Sequence, residues 1–161
     1  MMSRDHLATD PAGGRVLRLF LRPAHRKPVR EVDEALAIAG QGLQGDHADG
    51  GWRQVTLLAE ESWRAACAAL GPDAVLPPLL RRANVLVAGV ELGAAIGGQL
   101  RLGAVLVEVL GETRPCQLMD DSRAGLRAAL KPERRGGVFG RILTGGVLRV
   151  GDVVTVTPAA R

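Results

Sequence analysis

The triplet Arg114-Pro115-Cys116 sets a thiol beside a cation on a backbone that proline restrains. A thiolate there can bind a soft metal or attack an electrophile, and a neighbouring guanidinium offers it positive charge. An ordinary half-buried thiol satisfies the same three residues. Upstream, Asp46 and His47 lie in the glycine-rich run GQGLQGDHADGG. His47 can serve as a base, a ligand or a hydrogen-bond donor; the alternative is an Asx-type turn carrying an exposed histidine. Arg81, Arg82 and Asn84 form a polar group ahead of an apolar run, and such a group can grip an oxyanion through its guanidinium forks or decorate a surface. Arg53 directly follows the glycine loop. Arg141 stands between Phe139 and Ile142 in an apolar segment, so it needs a solvent opening, a partner or an anionic ligand. His25, among Arg22, Arg26 and Lys27, reads as part of a solvated basic loop, and His6 as part of the N-terminal lead-in.

The elements that must carry these residues are short. Residues 15–22 alternate, with Leu17, Leu19 and Leu21 on one face and Val16, Arg18, Phe20 and Arg22 on the other, which predicts a strand. The segment VREVDEALAIAG allows a helix or a short strand. A further strand is expected to start in WRQVTLL. The clearest helix is AEESWRAACAAL, where Trp63, Ala66, Cys67 and Leu70 recur at helical spacing, Glu60 and Glu61 favour the N-terminal end, and Gly71-Pro72 stops it. Cys67 then falls on the buried stripe as an inert core thiol. NVLVAGV and QLRLG read as short strands, and AVLVEVLG as the best strand, with Val105, Val107 and Val109 on one face. Ser122 is expected to cap a short helix running to Leu130, ended by Lys131-Pro132. The tail GGVFGRILTGGVLRVGDVVTV reads as strands separated by glycine turns. Many short strands with two modest helices imply a mainly β fold, a mixed barrel-like sheet, and no doubly wound series. Residues 1–13 read as a flexible lead-in, 14–157 as one domain and 158–161 as a short tail.

Composition narrows the function. Only 2% of the 161 residues are aromatic, so the core is built from Val, Leu, Ile and Ala, and a base-stacking surface for single-stranded nucleic acid is not expected. The net charge is +4, and 19 of the 21 basic residues are arginine. There is no dense basic tail or zinc-finger spacing, so no nucleic-acid partner is expected. Two cysteines do not make a disulfide framework. No stretch reaches 18 uncharged apolar residues, and no apolar leader segment opens the chain; a cytoplasmic protein without a membrane span is expected.

Taken together and in order, GLQGDH, RQVTLL, RRANVLVAGVEL, GQLRLGAVLVEVLGETRPC, GGVFGRILTGG and LRVGD resemble a MOSC domain, the domain named for the C-terminal part of molybdenum cofactor sulfurases. The resemblance covers about residues 14–157 and is closest in extent to the short, stand-alone bacterial proteins, which include members associated with reduction of N-hydroxylated purines. It implies a pyruvate-kinase β-barrel-like fold and either a molybdenum–pterin cofactor site or a role in handling sulfur for that cofactor. It matches Cys116 to the family's cysteine, a molybdenum ligand in cofactor-bearing members and a candidate sulfur carrier in sulfurases. It matches His47 to the loop histidine, here directly after the aspartate. Arg53, Arg82 with Asn84 (Ala83 standing between them), and Arg141 match the family's cofactor-side positions, and Arg114 falls beside the cysteine in the same set. Three functions follow: an oxidoreductase reducing N-hydroxylated small molecules with an external electron donor, a persulfide carrier served by a cysteine desulfurase, or a noncatalytic binding or sensory domain.

Overall fold

The computed structural model describes residues 13–160; the expected lead-in, His6 included, lies outside them except for Gly13. Eleven strands run in chain order as β1 (Gly14–Leu21), β2 (Arg30–Val32), β3 (Glu34–Ile38), β4 (Gly42–Leu43), β5 (Val55–Ala59), β6 (Val85–Ala88), β7 (Gln99–Leu102), β8 (Val105–Glu112), β9 (Val138–Thr144), β10 (Gly146–Arg149) and β11 (Val153–Thr157). Strands β11, β7, β8, β9, β5, β6 and β1 are neighbours in that order, and pairing of β1 with β11 closes them into a seven-stranded barrel. Closure leaves the barrel without an open edge. The sheet is mixed because β5 and β6 run parallel, the remaining pairs being antiparallel. That parallel step is crossed by α1 (Glu60–Leu70), as a parallel connection requires. Two further short helices, α2 (Gln117–Ser122) and α3 (Leu126–Ala129), follow β8.

The barrel interior is aliphatic, as the lack of aromatics dictates. Val105, Val107 and Val109 all face inward and meet Leu19, Leu57, Leu100 and Ile142 there. A second apolar layer lies between the sheet and the helices, where Phe20 and Leu58 pack on Trp63, Met119 and Leu126. Trp63 satisfies its indole N–H on the Leu76 carbonyl at 2.9 Å. Cys67 sits in this layer, buried.

Two local expectations change, and one open reading is settled. Strict alternation in β1 separates Val16 from Leu19 and Leu21, yet all three line the barrel interior. A bulge between Val16 and Arg18 shifts the register against β6, turning Leu17 to the outer layer. The ambiguous segment VREVDEALAIAG forms β2 and β3. Alanines 35 and 37 face inward and Leu36 outward, a period of two stabilised by pairing with β10. Ser122 ends a helix instead of starting one: its hydroxyl donates back to the Leu118 carbonyl at 3.2 Å in the last turn of α2. Among the described residues no helix is long and apolar enough to cross a membrane.

Candidate functional site

A cavity of about 330 Å³ opens where the C-terminal ends of β1 and β8 meet the segments leading into β6 and β9. Its walls include Cys116, His47, Arg53 and Arg82 from the sequence-derived set, together with Arg22, His25, Arg81 and Thr113. Among the described residues no aspartate or glutamate lines it. A larger cavity of about 690 Å³ beside Glu61, Glu91 and Arg134 contains no cysteine or histidine.

The cavity is held by a carboxylate that does not face it. Asp46 is fully enclosed and accepts from the Arg22 backbone N–H at 2.6 Å, from Arg22 Nε and Nη2 at 3.2 and 2.9 Å, from the Ala48 N–H at 3.1 Å and from Asn84 Nδ2 at 3.0 Å. Burial pushes this carboxyl up, but the Arg22 guanidinium and the two backbone donors outweigh burial and hold it below the ordinary aspartate value. The bond to Ala48 makes the Asx turn, and the turn presents His47, whose own N–H donates to the Arg22 carbonyl at 2.8 Å. The turn and the candidate histidine thus coexist. Burial and then Arg22 lower the His47 pKa, with His25 and Arg82 adding and Asp46 opposing, so the neutral ring is favoured.

Asn84 lies behind the cavity wall, fully buried, and does not line it. Its amide donates to the Phe20 carbonyl at 3.1 Å and to Asp46, and its Oδ1 accepts from the Thr56 N–H at 3.0 Å. It therefore stitches β1, β5 and the glycine loop together. Arg82 caps a 3₁₀ turn over Pro78–Arg81 with left-handed backbone, φ 62° and ψ 31°, and its Nη1 donates to the Lys27 carbonyl at 2.7 Å. The reversal leaves Arg82 half-buried at the cavity and turns Arg81 inward. Arg81 is buried, its Nε donating to the Gly136 carbonyl at 3.0 Å and its Nη2 to the Thr113 carbonyl at 2.9 Å. Burial lowers its pKa to about 10, which still leaves it cationic at neutral pH.

The other two arginines expected at a cofactor lie elsewhere. Arg141 does not line the cavity; its Nε donates to Glu108 at 2.6 Å across β8 and β9, and its guanidinium stacks on Trp52. Arg114 is exposed and is not part of the walls, although it adjoins Cys116 in sequence. Cys116 itself is exposed, immediately before α2. Sequence reasoning did not place Arg22, His25 or Thr113 at the site. Arg22 and His25 are remote in sequence from His47, but the loop after β1 brings the His25 ring edge-on to His47 with centroids 6.1 Å apart. Arg81 was named with Arg82 and Asn84 in a group able to grip an oxyanion, and burial tells it apart from Arg82.

The walls suit an anionic, thiol-seeking cofactor. The Thr113 hydroxyl is buried without a partner. The Gly136 cradle is closed to any side chain, since a Cβ there meets the Thr113 carbonyl at 2.5 Å and Arg81 Nη2 at 3.2 Å. Guanidinium forks accept phosphate and Cys116 offers one soft ligand. No group of three or more His, Cys, Asp or Glu gathers among the described residues, so a metal held here brings most of its ligands with it.

Comparison with known proteins bears on the fold and the family. The YuaD protein from Bacillus subtilis superposes with a TM-score of 0.77 at 17% identity, covering 92% of this chain and 97% of that one. YiiM from Escherichia coli gives 0.66 at 17%, covering 91% and 71%, and YiiM from Geobacillus stearothermophilus gives 0.68 at 15%, covering 89% and 75%. These are likenesses of fold. No curated protein matches the chain at a significant level. The MOSC domain profile matches residues 44–155, more than half of the sequence, and the chain belongs to the MOSC domain family.

Proposed function

We propose that this chain binds a molybdenum–pterin cofactor in the Cys116 cavity and reduces N-hydroxylated small molecules with electrons from an external donor. Family membership supports a role related to the molybdenum cofactor. The observation that carries the finer reading is the cavity itself: one exposed thiol and several guanidinium groups converge on a space with no carboxylate in its walls. Cys116 would supply the protein ligand to the metal. Arg81, Arg82 and Arg53 would hold the anionic part of the cofactor, with the Thr113 hydroxyl as a further donor. The bound cofactor supplies the two-electron chemistry. His47, favoured as the neutral ring and edge-on to His25, would orient the N-hydroxyl group of the substrate by hydrogen bonding at the cavity wall. Asp46 keeps that ring in place through Arg22 and the Asx turn.

Metal analysis and pterin extraction on protein made in a cofactor-producing host test this reading. About one molybdenum and one pterin per chain are expected, with the metal lost in Cys116→Ser. A folded chain that carries neither and takes up no added cofactor refutes it.

A further inference from the structure

We propose that the same cavity accepts sulfur directly from a thiosulfonate anion, inorganic thiosulfate being the simplest, so that Cys116 becomes a persulfide without a partner enzyme. This goes beyond the cofactor reading and does not rest on it.

Three observations point to such a ligand. Arg81 is buried, yet its two bonds go to carbonyls and not to a carboxylate. A buried guanidinium without an acidic partner is costly until an anion neutralises it. Thr113, only 7% exposed, lines the same cavity, and its buried hydroxyl has no hydrogen-bond partner. Arg53 and Arg82 add positive charge from the other walls. These groups call for a small polyoxygen anion. Sulfate or phosphate answers that call but offers nothing to Cys116, the one thiol in the walls. A thiosulfonate has the same oxygens at one end and an electrophilic sulfur at the other.

The step balances without any added oxidant. The Cys116 thiolate attacks the outer sulfur of thiosulfate, and a new S–S bond forms. The original S–S bond breaks, and its electron pair leaves with sulfite. The thiol sulfur is oxidised to the persulfide level, and the sulfur released as sulfite is reduced. Total charge is unchanged, and no proton need move. The arginines favour the reaction by holding the sulfonate oxygens as charge gathers on departing sulfite.

The test uses the full chain, reduced and then treated with thiosulfate. Intact mass is expected to rise by about 32 Da, the mass of one persulfide sulfur, with one equivalent of sulfite released. Cys67→Ala is expected to keep the adduct, and Cys116→Ala to lose it. Arg81→Lys keeps a charge but loses the fork, and a rate about ten- to a hundred-fold lower is expected. Should Arg81→Lys misfold, Arg53→Gln on the exposed rim and competition by sulfate on the wild type read the same anion requirement; both are expected to slow the reaction. No adduct, an adduct that persists in Cys116→Ala, or a rate indifferent to both sulfate and Arg53→Gln overturns the proposal. A chain that binds molybdenum–pterin but forms no persulfide defeats this inference alone. One that forms the persulfide and takes up no cofactor defeats the other reading alone.

Discussion

Replacing Asp46 with alanine removes five hydrogen bonds at once, three from Arg22, one from Ala48 and one from Asn84. It also leaves the Arg22 guanidinium, whose side chain is only 11% exposed, without its counter-charge. Breaking a buried ion pair by removing one member costs about 3–5 kcal/mol. Arg22 borders the cavity and regains some hydration there, so the low end, about 3 kcal/mol, is expected. For a chain of this size that corresponds to a fall in Tm of about 6–12 °C. Urea and thermal unfolding measure the change. Asp46→Asn keeps the shape and one acceptor oxygen, so it should cost less, about 1–2 kcal/mol. The double variant Asp46→Ala/Arg22→Met should recover part of the loss, because no unpaired charge remains. Asp46→Ala within about 1 kcal/mol of wild type, or strictly additive single changes, would refute the view that this carboxylate holds the site together.

The same carboxylate predicts a pH signature. Its folded pKa lies below the unfolded value, so its contribution is complete above the unfolded pKa and is lost as pH falls through the folded one. The stability gap between wild type and Asp46→Asn should therefore be flat above about pH 5 and shrink below about pH 4, as read from urea melts. Thr113→Val removes an unpartnered buried hydroxyl and should raise the stability of the ligand-free chain by up to about 1 kcal/mol while weakening sulfate binding in calorimetry. Arg141→Ala breaks a half-exposed pair with Glu108, so unfolding should change by about 0–1 kcal/mol and sulfate affinity should not change. Gly137→Ala should be severe, about 3 kcal/mol or more in urea melts, because φ is +98° and the added methyl collides with the Leu57 backbone.

Much of the barrel was legible because its strands are written with a period of two. Val105, Val107 and Val109 point inward as their spacing demands, and the Trp63–Cys67 stripe buries itself as a helix should. The bulge in β1 was not legible. Alternation predicts a face for every residue, and one extra residue in the pairing reverses that face for Val16. The role of Ser122 was missed for a similar reason. A serine bonds forward as an N-cap or back to a preceding carbonyl, and only the helix around it chooses.

The family, the mainly β class and an aliphatic core could all be read from the amino-acid sequence. It also singled out Cys116, His47 and a group of arginines, because residue type and order are enough for such statements. Which arginines share a cavity with that thiol follows from how the barrel closes. Arg114 adjoins Cys116 in the chain yet stands exposed outside the cavity, while Arg81 reaches the cavity from the turn before β6. Arg141 is claimed by Glu108 on the neighbouring strand, and His25 comes to face His47 only when the loop after β1 folds over. Electrostatic and hydrogen-bond partners are chosen by distance in space, and a closed barrel brings together segments that the chain keeps far apart.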